Sequence, residues 1–469
     1  MTDTDLLLTF YGDDFTGSTD ALESLALNGV ETILFLEPPG PDDRALIEDV
    51  QAIGVAGQSR TMSPDEMERD LRESFEALAA FDAEMFHYKV CSTFDSSPEV
   101  GSIGRAIDIG KEVFDSPSVP VVVAAPSLRP RGRYLIFGNL FATVDGTTYR
   151  IDRHPTMSEH PVTPMTEGDL TRHLEKQTDK SIGLVDIRAV DSKQGDELRA
   201  VFMDAVDRDD IVFLDGLNHD HQRTVGQVVW EYATTSSQQV FSASSSGLGY
   251  ALTGHWQETG VVEEPDPPEP LETVERIVVM SGSAAPDTNE QIAWALENGF
   301  EGVRLDTAEL IDPETQDAAR TDAIETGLAI LENDTSVILY AARGPDDPAI
   351  DETKDRADEL GISNTTLRAR LGDEQGLITR RLLEKTGIKR ACVAGGDTSG
   401  HVANQLDISA LEYLSPVGPG SPLCRSRSAN PRFDGVEIAL KGGQVQTTDP
   451  EANYFEIVRK GGADPDSSD

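Results

Sequence analysis

The recurrent unit of this sequence is a short apolar run that ends in a turn of glycines and hydroxyls and passes at once into an amphipathic helix. It first occurs at residues 6–11, followed by GDDFTGSTDALESLALNG, with a helix over 19–28 that Gly29 terminates and a second apolar run at 32–36. Strand, turn, helix and strand in that order predict a parallel sheet whose ligand-binding edge lies at the carboxyl ends of the strands. Runs at 52–56, 85–89, 121–125, 183–187, 211–215 and 239–242 continue the alternation, with a helix over 63–80 opened by Ser-Pro. The run 121–125 is fully apolar and largely β-branched, as buried parallel strands are. SSSGLGYALTG, 244–254, gives one more strand–helix turn.

EEPDPPEP, residues 263–270, can enter neither a helix nor a strand interior and reads as a linker. After it the alternation resumes, with strands at 277–280, 303–305, 336–340 and 391–394, helices at 317–332 and 376–386, and closing strands within 412–440. The expected fold is α/β with two domains, 1–262 and 271–460, each a mostly parallel sheet flanked by helices, with the active site in the cleft between them. The tail 461–469 is expected to be disordered.

In the second domain, AGGDTSG (394–400) follows the strand 391–394 and opens a helix over 401–406. Paired glycines at a helix mouth leave backbone N–H groups free where the helix dipole is positive, which is a seat for phosphate. An ordinary capped turn has the same look. The SGS turn, 281–283, has the same composition, and VGPGSP and KGGQV (441–445) add further glycine turns.

In the first domain, Asp13 and Asp14 stand beside Thr16 at a strand end, where one of them can cap the helix and the pair can bind substrate or act as general base. KVCSTFDSSPEVGSIG places Lys89 at another strand end, ahead of hydroxyls. Basic residues are scarce, so Lys89 and the cluster Arg129, Arg131 and Arg133 are candidates for meeting an anion. Residues 149–165, rich in Pro and His, read as a long functional loop. His154 and His160 lack helical metal spacing, and His219 and His221 read as part of a solvated turn rather than a metal site.

The charge decides which partners are open. Lys plus Arg number 39 against 84 Asp plus Glu, a net charge of −45, which repels nucleic acid and anionic membrane. With 38% hydrophobic residues the chain folds, and the acidic surface reads as an adaptation to concentrated salt. Cys91, Cys392 and Cys424 show no CxxC spacing, the first residues offer no basic stretch and only a short apolar run, so no export signal is expected, and no apolar run is long enough to span a membrane. The expectation is a soluble protein of the reducing cytoplasm.

With these stretches placed, the chain resembles the four-carbon acid sugar kinase family almost end to end. The family's acidic pair and Thr-Gly are matched by Asp13, Asp14, Thr16, Gly17 and Asp20, and its lysine motif by Lys89, Ser92, Thr93 and Phe94. Its Pro and Gly-Arg segment is Pro126, Gly132 and Arg133, and its Asp-Pro-x-x-Pro segment is His160, Pro161 and Pro164. In the second half its Ser-Gly-Ser is Ser281, Gly282 and Ser283, and its Gly-Gly-Glu-Thr-Ser is Gly395, Gly396, Asp397, Thr398 and Ser399. Its Pro-Gly is Pro419 and Gly420, and its Lys-Ser-Gly-Asn-Phe-Gly is 441–446, where Gly443 remains and Gln444, Val445 and Gln446 depart. Cys91 replaces the family's aspartate and Asp95 its arginine, which puts plain tetronate substrates in doubt. In this region the chain is similar to the branch that includes 3-oxo-isoapionate kinases.

The resemblance implies an ATP-dependent kinase of a small sugar acid or oxo sugar acid, four-carbon or branched five-carbon. Asp14 or Asp13 would take the hydroxyl proton with Lys89 beside it, and Thr16, Ser92, Thr93 and Arg133 would complete the substrate site. Ser281, Gly282, Ser283, Gly395, Gly396, Thr398, Ser399, Gly420 and Gly443 would cradle the nucleotide, and Asp397 would hold Mg²⁺ directly or through water. There is no Walker A motif. A homo-oligomer is compatible with all of this. Two other classes stand beside it: a sugar-acid sensor that closes without transfer, and an NAD-dependent oxidoreductase, which the lack of GxGxxG after any expected strand opposes.

Overall fold

A computed structural model describes residues 6–128, 132–144, 146–160, 162–267, 271–447 and 452–462. Arg129, Arg131, Pro161, the linker end 268–270 and the tail from 463 onward lie outside the described residues. The chain forms two compact units, Met1–Asp266 and Pro267–Asp469, each an α/β layer structure.

In the first unit, β1 (Leu8–Gly12), β2 (Thr32–Phe35), β3 (Ala52–Ala56) and β4 (Met85–Lys89) form a parallel sheet with β11 (Val240–Ser244), in the order β11-β4-β1-β3-β2. β5 (Val119–Val121), β9 (Ile182–Val185) and β10 (Ile211–Leu214) form a second parallel sheet in the order β5-β10-β9. It abuts the first sheet, because Ser245 N donates to Val122 O at 3.0 Å and Val122 N to Ser244 Oγ at 2.8 Å. Phe75, Phe86, Phe114 and Phe241 fill the core, with the Phe86 and Phe114 rings 4.4 Å apart.

β6 (Arg133–Ile136), β7 (Asn139–Val144) and β8 (Thr147–Arg150) make an antiparallel meander in a stretch to which the sequence reading assigned no strands. Its first hairpin turns on Phe137 and Gly138, at φ 48° and 73°, the backbone a tight two-residue turn requires. The Asp215 carboxylate accepts from both of their N–H groups and from Ile187 N, and so ties the meander to the end of β10. His219 and His221 begin the helix His219–Thr235 rather than sitting in a turn, since Asn218 caps its first turn, and His221 is buried with Nε2 3.2 Å from Asp191.

In the second unit the order is β16 (Ile408–Gly418), β17 (Ser421–Ser428), β18 (Glu437–Lys441), β15 (Arg390–Ala394), β12 (Val278–Ser281), β14 (Ser336–Tyr340) and β13 (Phe300–Arg304). The five from β18 to β13 are parallel, and β16 and β17 close the edge antiparallel. The helix expected over 376–386 runs over Asn364–Thr386, because Ser363 caps it and Gly376 is interior. Gly461, placed in the tail, ends the helix Tyr454–Lys460 in left-handed backbone and its carbonyl accepts from Leu271 N. Among the described residues no helix is long and apolar enough to cross a membrane.

The helices His219–Thr235 and Ser246–Thr259 meet where Gly226 faces backbone, and a Cβ there would lie 1.9 Å from Ala251 O. Gly226→Ala is expected to force the helices apart at a cost of about 1–3 kcal/mol. Urea unfolding should show a lower midpoint with unchanged native far-UV circular dichroism.

Candidate active site

Register brings the first unit's polar turns together. Gly12 is level with Ala56 on one side and Lys89 on the other, and Lys89 is level with Ser244, so four chain segments leave the sheet at one edge. Asp13 N donates to Lys89 O and Arg60 N to Asp13 O, each at 2.9 Å. Arg60 was not singled out in the sequence, yet it organises this edge. Its Nε and Nη2 grip Asp13 at 3.1 and 2.8 Å, and its Nη1 reaches Asp14 Oδ2 at 2.8 Å. The signal was its place, four residues past the end of a parallel strand.

The two aspartates differ. Asp13 is 3% exposed and both its oxygens are taken by the guanidinium. Burial pushes its carboxyl above the usual range, and the Asp14 charge adds to that against the pull of Arg60. Asp14 caps the helix Phe15–Ala26, accepting from Gly17 N at 2.5 Å and from Thr16 Oγ1 at 3.0 Å, and its side chain is 27% exposed. Lys89 is buried with Nζ 3.0 Å from Asp20. Burial disfavours its charge, but Asp20 and Asp13 outweigh that and hold the ammonium above the ordinary lysine value. A Cβ at Gly17 would lie 3.4 Å from both Lys89 Nζ and Asp13 Oδ1, so these groups converge on the helix mouth.

The turn after β4 adds Cys91, Ser92 and Thr93. Thr93 Oγ1 lies 2.6 Å from Asp95 Oδ1 and 2.9 Å from Cys91 Sγ, and Thr163 Oγ1 lies 3.2 Å from Asp95 Oδ2 and 3.0 Å from His160 Nδ1. Burial raises the Asp95 pKa, but Arg60, the Thr93 hydroxyl and His160 together bring it below the usual range. Ser92 is half-buried in the turn. Arg133 stands on the meander, which pairs with Ala125 beyond β5, and its Nη1 faces the carbonyls of Gly132 and Thr143.

The second unit repeats the device with glycine turns in which Asp397 is the acid at the helix mouth. Ser281 is level with Ala394, and Ala394 with Lys441, so the three glycine turns spring from one row. Gly282 N donates to Ala394 O at 3.0 Å and Gly395 N to Lys441 O at 2.9 Å. Gly395 sits at φ 125°, which a side chain would strain, and the helix Gly396–Gln405 starts there with Thr398 and Ser399 in its first turn. A Cβ at Gly443 would lie 2.5 Å from Ser283 Oγ, which shows how closely those turns approach. Gly418, the last residue of β16 and two before Gly420, packs on Gln446.

Lys441 is fully buried, donates to Thr288 Oγ1 at 3.0 Å and lies 5.5 Å from the centre of the Tyr454 ring. Burial lowers its pKa to about 8. Thr288 in turn donates to Gly443 O at 2.7 Å, so the buried ammonium braces the last glycine turn. Asp397 is exposed, with Arg368 3.9 Å away, and among the described residues no three His, Cys, Asp or Glu side chains cluster as a metal cage.

Residues 8–252 match the model of a sugar-binding N-terminal domain, more than half of the chain, and residues 278–449 that of a nucleotide-binding C-terminal domain. The chain belongs to the four-carbon acid sugar kinase family. It is 43% identical to a 3-oxo-isoapionate kinase of Paraburkholderia graminis, over 97% of this chain and 94% of that protein. A 3-oxo-tetronate kinase of Cupriavidus necator is 30% identical, over 93% and 94% of the two chains, and one of Pseudomonas savastanoi pv. phaseolicola 29%, over 94% and 95%. The fold is shared with a solved Haemophilus influenzae protein at a TM-score of 0.71 and 21% identity, covering 96% of this chain and 99% of the other.

In this member of the four-carbon acid sugar kinase family, Arg60 is the counter-charge for a buried carboxylate. Arg60→Ala is expected to cost about 3 kcal/mol at neutral pH, since it strands the charge of Asp13. Without the guanidinium the folded-state pKa of Asp13 rises further above the unfolded value, so the deficit grows as pH rises through that window and fades as pH falls. Urea unfolding of the variant and the parent at pH 5 and 7.5 checks both the size and the sign.

Proposed function

We propose that this chain is an ATP-dependent kinase that phosphorylates a hydroxyl of a small oxo sugar acid. What carries the reading is the row Ser281, Ala394 and Lys441, from which three glycine turns present backbone N–H groups and a helix mouth at one sheet edge. The first unit supplies the sugar-acid site and the second the nucleotide site, with 263–270 as the joint. The identity with a 3-oxo-isoapionate kinase over nearly the whole chain supports a branched five-carbon oxo acid as substrate.

Transfer of a phosphoryl group asks the protein for position and for charge neutralisation, with the alcohol and the γ-phosphate meeting in line. Asp14 is the base in this reading, because it is the exposed member of the pair and Asp13 is locked by Arg60. Arg60 holds the two aspartates in place with Lys89, paired to Asp20, beside them; Thr16, Ser92 and Thr93 meet the substrate's hydroxyls, and Arg133 meets its carboxylate. Ser281, Gly282, Ser283, Gly395, Gly396, Thr398, Ser399, Gly420 and Gly443 hold the nucleotide. A single exposed carboxylate fits Mg²⁺, which keeps most of its waters and takes phosphate oxygens, so Asp397 would hold it through water. The ion would neutralise phosphate charge. The acidic surface supports work in the cytoplasm of a cell rich in salt.

Asp14→Asn keeps a helix cap, so the variant should fold. It is expected to bind ATP as the parent does and to lose about 10²–10⁴-fold in kcat. A screen of four-carbon and branched five-carbon oxo acids for ADP release in high salt with Mg²⁺ tests the whole reading. Ligand binding without ADP release would favour a sensor instead.

A further inference from the structure

Two glycines one turn apart let the helix Asn364–Thr386 lie close against Gly396–Gln405. A Cβ at Gly372 would fall 2.4 Å from His401 Cδ2, and one at Gly376 2.5 Å from Gln405 Cγ. This close approach delivers Gln375, 1% exposed, to the mouth of the shorter helix. Its Oε1 accepts from Thr398 Oγ1 at 3.1 Å, while its Nε2 is buried with no hydrogen-bond partner among the described residues. The amide lies directly behind the Ser281–Ser283 turn: a Cβ at Gly282 would be 2.0 Å from Thr398 Oγ1 and 3.0 and 3.2 Å from the two amide heteroatoms. Ser281 Oγ is a second buried, unpartnered group at the same turn.

A buried donor with no acceptor is costly, and native structures keep few of them. A hydroxyl can donate or accept, and a primary amide has one end of each kind, so this pair has two arrangements. In the one seen, Thr398 spends its proton on Gln375. With the amide turned over, Nε2 donates to Thr398 Oγ1, and the hydroxyl proton is free to point out of the helix mouth. We propose that Gln375 is a positioning residue for the nucleotide, turning its amide when a phosphate oxygen arrives so that Thr398 donates to that oxygen. This rests on the nucleotide-site reading given above and adds to it a group that never touches the ligand.

ATP affinity of the full chain, measured by calorimetry without sugar acid, tests it. Gln375→Met removes the amide at similar volume and is expected to weaken ATP about threefold or more beside Thr398, but to have no effect in a Thr398→Val background. Gln375→Glu keeps the acceptor and loses the donor, holding the hydroxyl proton inward; ATP should weaken about tenfold or more while KM for the sugar acid stays the same. An equal effect of Gln375→Met in both backgrounds, or none in either, overturns the proposal. The methionine cycle decides the matter if the glutamate variant fails to fold. A parent chain that does not bind ATP at all overturns the kinase reading first, and this proposal with it, whereas a parent that binds ATP leaves the variants to judge Gln375 alone.

Discussion

One guanidinium between two carboxylates holds the first unit's edge together. Asp13 sits where water cannot solvate it, and a carboxylate in such a place stays charged only with a cation in close contact. Arg60 provides that contact and extends its third nitrogen to Asp14. A second pair, Lys89 with Asp20, stands beside it. Each of these carboxylates has a cation in contact, so the groups at this edge are held in fixed positions, as electrostatic preorganisation requires.

The second unit's edge is built differently. It offers amide hydrogens and hydroxyls, braced by the buried ammonium of Lys441. Lys441 has a hydroxyl and an aromatic face for partners, and through Thr288 its charge acts on the carbonyl of Gly443. Burial lowers its pKa, which is what an ammonium without a touching carboxylate should show.

Strand ends carrying unusual residues were readable in the sequence, because a period of apolar runs fixes where each strand stops. Asp13, Asp14, Gly395 and Thr398 lie just past such stops and Lys89 is the last residue before one, and the α/β alternation placed them correctly at carboxyl edges. Arg60 was missed because Ser59-Arg60-Thr61 is unremarkable as a string; its meaning comes from the pairing of β1 with β3, which no local pattern encodes. Gly376 was read as a helix start, whereas its small size serves the neighbouring helix. The meander over 133–150 escaped because its strands are short and its turns look like loop. Asp215, taken only as a strand end, closes that meander from 77 and 78 residues away.

The alignment of Ser281, Ala394 and Lys441 on one row has a corollary for how such a chain can vary over time. Residues beyond the row can be exchanged, since they hang from an anchored point. A single residue gained or lost inside any of those three strands would swap its inward and outward faces and carry one turn away from the other two. Length change is thus tolerable in the connections and ruinous within the strands, and drift in this half of the molecule should be written almost wholly in loops.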